Sequence, residues 1–546
     1  MRCLPFFILF FLCIPSLGYS RASRTLIQNT LIKNRFYDTA LESFPDPVNL
    51  RQPIRSAVRE FFQKTKKAAE TQPDFAARYP ELNSFLNWST LAESTTTLSE
   101  IRVPTALGKV QLLMGNVESW WARYLIIQQA QKSIDVQYFI IDNDVFGLSF
   151  LALLLEKAKQ GVKVRLMLDR AGCPIIRKNR QKALLQELAL AGVEIHVFNP
   201  FIVDFPNLNF ITRNHDKILL IDDRYFMTGG RNISRYYLID PADDSFLFSD
   251  ADVLIDSPQA AASAILAFQQ EFDVSQTYVI QRAENSSPES VQKLESALQA
   301  MRERFENSEL SNEFKGWFPM LQHWKRLYGI KDFQLFPDPT FKPLEILDKT
   351  SDLLNYFDLR EELFRLFEEA QTDIWIENPY VVLTDKMRSA LEKAARRGVR
   401  ITIRTNGPAS GDSDWTQAVF EQEWRSLLKT IPNLRIYGDI GKEKIHSKLF
   451  VFDGKKSFIS SYNLDSVSEK FNSEIGVLID DVGTAESVIA TITSRTAKDK
   501  QYTLDGPQIG DPHTLNHLWR LSWVARLIRR WIHVEPVQTR LKPLVD

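Results

Sequence analysis

One short pattern, His-x-Lys-x-x-x-x-Asp, stands twice in this chain, at His215/Lys217/Asp222 and at His446/Lys448/Asp453, and any fold must accommodate both copies. Each copy contains an apolar run, Ile218-Leu219-Leu220-Ile221 in the first and Leu449-Phe450-Val451-Phe452 in the second. Such runs read as buried strands. Residues two apart on a strand share a face, so each histidine is expected to point the same way as its lysine. Both copies then lead to a small-residue turn ending in asparagine, Gly229-Gly230-Arg231-Asn232 and Ser460-Ser461-Tyr462-Asn463. A neutral imidazole, an ammonium and a carboxamide on one surface suit a phosphodiester anion. A single match among seven histidines is unremarkable; two with the same flanks are not. The aspartates carry a different expectation. Asp453-Gly454 is a hairpin signal and Asp222-Asp223 falls where a turn is expected, so a supporting role is assigned to both in preference to proton transfer.

The copies sit within longer repeats. Ser133–Tyr138 alternates like a strand, a helical stretch runs from about Gly147 to a stop at Gly161, and Val162–Leu166 alternates again. The second half repeats this plan with Asp373–Asn378, a helix through Arg397, a stop at Gly398, and Val399–Ile403. Val193–Phe198 then corresponds to Leu434–Tyr437. Alternating strands and helices predict an α/β fold, with two pseudo-two-fold-related domains, each a mixed sheet flanked by helices, sharing one site between them.

These residues resemble the phospholipase D superfamily, and within it the C-type bacterial cardiolipin synthases. The likeness spans about 108–480 and includes Ser133–Phe139, Phe198-Asn199-Pro200-Phe201, Gly229–Ile233 and Asn463-Leu464-Asp465. The chain departs from the synthase pattern at Ser234–Tyr237, at Ser460-Ser461, at Val467 where an arginine is expected, and at Phe420 where a further histidine is expected. The resemblance implies a phosphatidyltransferase working through a covalent phosphohistidine. His215 would be the nucleophile and His446 the acid/base, with the reverse assignment open. Lys217, Lys448, Asn232 and Asn463 would hold the phosphoryl oxygens, Glu474 would fix one imidazole, and Asp252 is its expected first-half counterpart. Phosphatidylglycerol, with or without phosphatidylethanolamine, is the implied lipid substrate. Hydrolysis to phosphatidic acid and an exported nuclease are the alternatives.

Composition narrows these. The formal charge is −1, and basic residues are not interleaved with aromatics, which counts against a nucleic-acid partner. With neither zinc-type cysteine spacing nor a glycine-rich phosphate loop, no metal and no cofactor are expected. The start, Met1-Arg2 and an apolar run to Ile14 with Gly18 and Ser20 at cleavage spacing, reads as a signal peptide over 1–20. The expected location is the periplasmic membrane surface, with a retained anchor as the alternative. Cleavage would leave Cys173 as the one cysteine. The remaining expected divisions are a helical extension (21–104), a first domain (105–281), a helical insertion (282–341), a second domain (342–490) and a tail (491–546). In that tail Leu518, Leu521, Val524, Ile528 and Trp531 recur at helical spacing among arginines, as in helices that lie on anionic bilayers or dock on a protein core.

Overall fold

The computed structural model describes residues 105–177, 179–198, 213–239, 247–274, 279–307, 333–349, 359–441 and 443–521. The predicted signal peptide, the helical extension and the tail beyond 521 lie outside them. In the first half the strands are β1 (Ala106–Leu113), β2 (Ser133–Tyr138), β3 (Lys163–Asp169), β4 (Glu194–Phe198), β5 (Ile218–Ile221), β6 (Tyr225–Gly229), β7 (Phe248–Ser249) and β8 (Asp252–Asp256). The second half supplies β9 (Phe341–Lys349), β10 (Asp373–Glu377), β11 (Arg400–Asn406), β12 (Leu434–Asp439), β13 (Lys444–Ile445), β14 (Leu449–Phe452), β15 (Lys456–Ser460), β16 (Glu474–Asp480) and β17 (Lys500–Tyr502).

Local chemistry explains the helices between them. Asp144 caps helix Val145–Lys159 by accepting the Phe146 and Gly147 N–H groups, and Gly161 at φ +91° ends it. Thr384 does the same for helix Asp385–Arg396 through Met387 N–H, with Gly398 at φ +96° beyond its end. Each of these helices joins two parallel strands, β2 to β3 and β10 to β11. The hairpins β5–β6 and β14–β15 then add antiparallel partners.

The two halves do not stop at separate sheets. β1 pairs with β9 antiparallel, Ala106 opposite Leu344 and Lys109 opposite Phe341, which fuses them into one 15-stranded sheet. On either side of this join the order is the same, β8-β6-β5-β2-β3-β4 and β16-β15-β14-β10-β11-β12, the second extended by β17. A pseudo-two-fold axis therefore passes between β1 and β9. One apolar cluster spans it, combining Phe226, Val253, Phe268 and Ile346 with Val451, Val477 and Val488 beneath helices Pro258–Val274 and Val482–Thr496.

Helix Pro288–Asn307, which falls in the stretch expected to be an insertion, belongs to the first half's own core. Leu294 and Ala297 are buried there, and Ser149 Oγ donates to the Ala297 carbonyl at 2.9 Å. Its alternating charges cover only the outer face. The tail also begins inside the fold, because β17 pairs with β12 and Leu518 is buried. Among the described residues no helix is long and apolar enough to cross a membrane.

Candidate active site

The His-x-Lys tripeptides lie just ahead of β5 and β14, in extended backbone and not within the strands. Alternation holds nonetheless. The middle residues point away into buried networks, Asp216 to Gln137 Nε2 at 3.0 Å and Ser447 to Glu377, whereas the histidines and lysines face the seam between the halves.

Two short parallel pairings stitch that seam. β13, which leads into His446, pairs with β7 of the first half, Lys444 opposite Phe248 and Ile445 opposite Ser249. The His446 N–H donates to the Ser249 carbonyl at 2.8 Å. In the mirror arrangement Asn214, which leads into His215, bridges Ser473 of the second half, and the Ser473 N–H donates to the Arg213 carbonyl at 3.1 Å. Ser249 and Ser473 each precede a carboxylate, so each histidine is brought against a carboxylate from the other half.

His215 Nδ1 lies 2.9 and 3.1 Å from the two Glu474 oxygens, and His446 Nδ1 lies 2.7 Å from Asp250 Oδ2. A carboxylate accepts at these positions, so we assign the proton to Nδ1 in both rings and leave Nε2 with its lone pair. Ser461 and Ser468 donate to Glu474, each at 2.5 Å, and fix it in turn. Lys217 Nζ donates to its own histidine's carbonyl at 2.6 Å, and Lys448 does likewise while lying 2.9 Å from His446 Nδ1. Phe139 packs edge-on to His215 at 5.5 Å, and Tyr237 and Phe248 flank His446 at 5.1 and 5.2 Å.

Burial sets the protonation states. It pushes the His215 imidazole down to about 4, Glu474 opposing and Lys217 and Lys448 adding to the effect. His446 is also lowered, by burial and by Lys448, against Asp250. Burial brings Lys217 to about 7 and Lys448 to about 8. Burial alone would raise Asp250, yet His446, Lys448 and Arg231 bring it down to about 2. Near neutral pH the site thus presents neutral imidazoles beside one half-charged amine, Lys217, and one mostly charged, Lys448, and an incoming phosphate would restore the missing positive charge.

Of the expected residues, His215, Lys217, His446, Lys448 and Glu474 meet at the seam. Asn232 and Asn463 are buried in the turns that close β6 and β15. Asn232 Oδ1 accepts the Ile140 N–H at 3.1 Å and its carboxamide also bonds Tyr237, whereas Asn463 Oδ1 has no hydrogen-bond partner among the described residues.

Two site assignments need correction, although Asp222 and Asp453 do take the supporting turn role expected of them. Asp222 and Asp453 are not in the site, because five residues of extended chain carry them roughly 16 Å from their lysines. Both adopt φ +54° and cap backbone instead. Asp222 accepts the Gln131, Lys132 and Ser133 N–H groups at 2.9, 2.7 and 2.9 Å, and Asp453 accepts those of Gln371 and Thr372 at 2.9 and 2.7 Å. Asp252 is not the counterpart of Glu474. It is buried against Arg123 at 2.9 Å and Arg231 at 3.3 Å, and the histidine partner is Asp250, two residues earlier. Phe420, at the position expected for a further histidine, packs in the second half's core against Tyr502.

The turn glycines gain their reason here. A Cβ on Gly230 would sit 2.1 Å from Asp250 Oδ1, whereas the equivalent Ser461 donates its hydroxyl to Glu474. Gly230→Ala is expected to displace Asp250 and lower kcat about 100-fold, the usual effect of roughly 1 Å of misplacement. A kcat equal to that of the parent protein would contradict this placement.

Comparison with known proteins gives the same outline. The family described as "Cardiolipin synthase, PLD-like domain" matches over residues 125–272 and 363–495, one match for each half. Cardiolipin synthase C of Escherichia coli (strain K12) is 27% identical over 455 residues, covering 76% of this chain and 89% of that protein. The probable cardiolipin synthase YwiE of Bacillus subtilis (strain 168) is 24% identical over 398 residues, 72% of this chain and 66% of that protein. Among solved structures, phosphatidylserine synthase from Haemophilus influenzae Rd KW20 shares the fold, with a TM-score of 0.55 at 14% identity over 78% of this chain and 96% of that one.

Proposed function

The chain belongs to the phospholipase D-like domain family of cardiolipin synthases, and from that premise we propose that it is a phosphatidyltransferase acting through a covalent phosphohistidine. The observation that carries this reading is the pair of crossed couples, His215 with Glu474 and His446 with Asp250, beside two buried lysines.

Phosphodiesters resist attack because their oxygens repel nucleophiles and their alkoxides leave poorly. His215 Nε2 is suited to attack phosphorus, being the ring held neutral down to a pH of about 4. His446 is suited to supply the proton that the departing alcohol takes. Burial and Lys448 disfavour its charged form in the free enzyme, but the carboxylates of Asp250 and Asp412 favour it. The charge of a bound phosphodiester adds to them, so that the ring takes up a proton at Nε2 with the substrate. Lys217 and Lys448 offset charge on the phosphoryl oxygens. In the second step the incoming hydroxyl forms an O–P bond and yields its proton to His446, while the P–N bond breaks and its electron pair returns to His215. Phosphatidylglycerol as acceptor gives cardiolipin; water gives phosphatidic acid. An exported enzyme at the periplasmic membrane surface, led there by residues 1–20, is part of the same proposal.

Incubation with acyl-labelled phosphatidylglycerol, with and without phosphatidylethanolamine, tests the reaction. Cardiolipin is expected; phosphatidic acid alone would make the protein a hydrolase, and no lipid turnover would end the lipid reading. The pH profile offers a second test. For the free enzyme kcat/KM is expected to rise through a pH of about 4 as His215 becomes neutral, and to decline by about 7, where Lys217 loses its charge after His446 has lost its proton. A profile still rising at about pH 9 would contradict these assignments.

A further inference from the structure

Two nearly symmetric halves cannot by symmetry alone distinguish a donor side from an acceptor side. One polar pair breaks the symmetry. Beyond β10, Val381 bridges Leu464, and beyond β2, Ile141 bridges Ile233 in the same manner. The residue before each bridge is Tyr380 in the second half and Ile140 in the first. The Tyr380 hydroxyl donates to the Asp412 carboxylate, whose oxygens lie 2.9 and 3.0 Å away. Asp412 belongs to a loop that follows β11, whereas β3 is followed by the short helix Pro174–Arg177 with Cys173 and Ile175 buried.

That loop is tied to the acid/base side. Lys444 Nζ donates to the carbonyls of Ser410 and Gly411 at 3.3 and 2.8 Å, and Lys444 opens the strand that leads to His446. The Gly407 N–H and the Ser410 hydroxyl both bond the Asp439 carbonyl, at 3.1 and 3.0 Å, which fixes the loop's base. Asp412 itself is exposed to solvent, unlike Asp250 and Glu474. Its field reaches His446 and Lys448 but is not among the leading influences on His215. An exposed carboxylate braced by a tyrosine, on a loop bonded to the strand that leads into the proton-accepting histidine, has the chemistry to accept a hydrogen bond from a hydroxyl.

Resting on the phosphatidyltransferase reading, we propose that Asp412, oriented by Tyr380, binds a second hydroxyl of a polyol acceptor and so presents the reacting hydroxyl to His446. A glycerol headgroup offers such a second hydroxyl; water and simple alcohols do not. Asp412 would therefore set the preference for glycerol-bearing acceptors over water, and Tyr380 is the positioning residue behind it.

The test lets deuterated glycerol and 1-propanol compete for acyl-labelled short-chain phosphatidylglycerol in the full-length protein, with products resolved by mass. In Asp412→Ala the ratio of glycerol product to propanol product is expected to drop about tenfold, the loss of one hydrogen bond to a charged group. The KM for glycerol should rise while that for propanol does not. Asp412→Asn, which retains an acceptor oxygen, should recover part of the ratio, and Tyr380→Phe should lower it less than Asp412→Ala. An equal fall in both products would mean that the pair only supports the loop, and an unchanged ratio would likewise overturn the proposal. A parent protein that yields phosphatidic acid with neither an alcohol product nor cardiolipin would sink the transferase reading itself. Cardiolipin with neither alcohol product would instead overturn the polyol site alone, because free glycerol carries the hydroxyls that site is said to bind.

Discussion

Replacing His215 or His446 by alanine is expected to lower lipid turnover by at least about 10⁴-fold while leaving the fold intact, because each ring performs a step that the other does not. The fold should survive because the partner carboxylates keep other bonds. Glu474 retains Ser461 and Ser468, and Asp250 accepts the Ala251 N–H at 2.8 Å. Groups that act as one unit are strongly non-additive when removed. The double variant should therefore be hardly worse than either single one. Circular dichroism and a melting curve serve as the fold control, and substantial activity in either single variant would refute a shared site.

The second large effect comes from the crossed carboxylates. Asp250→Asn and Glu474→Gln keep the shape of each side chain but reverse the hydrogen bond that sets the imidazole tautomer. By analogy with the triad aspartate of serine proteases, roughly 10³ to 10⁴-fold in kcat is expected, with little change in stability. Asp252→Asn makes the contrast. It would leave Arg123 and Arg231 buried without the carboxylate charge they share, and breaking such a pair costs about 3–5 kcal/mol of stability. Asp252→Asn should thus lower the melting temperature and Asp250→Asn the turnover number. The opposite assignment of effects would restore Asp252 to the site.

That contrast also marks how far the sequence could be followed. Strand and helix order in each half was legible because the local signals agree: Asp144 and Thr384 cap the helices, Gly161 and Gly398 end them, and apolar alternation marks the strands. The histidines and lysines were legible because the pattern recurs. Asp250 was not. It lies two residues from Asp252, on the same face by alternation, and only the pairing of Ser249 with Ile445 across the halves decides between them. Nothing within either half records that pairing. Asp222 and Asp453 share a pattern with the catalytic pair for a different reason, since they anchor the far ends of the strands whose near ends carry the site. The role of helix Pro288–Asn307 was hidden because its charged outer face dominates the composition while a narrow apolar stripe does the packing.

One site per chain, assembled from both halves around a single covalent histidine, can be tested by rapid quenching during turnover with acyl-labelled phosphatidylglycerol, followed by peptide mapping. The expected result is at most one phosphatidyl group per chain, carried by His215, with none on His446. Two groups per chain, one on each histidine, or continued turnover with no labelled histidine at all, would contradict it.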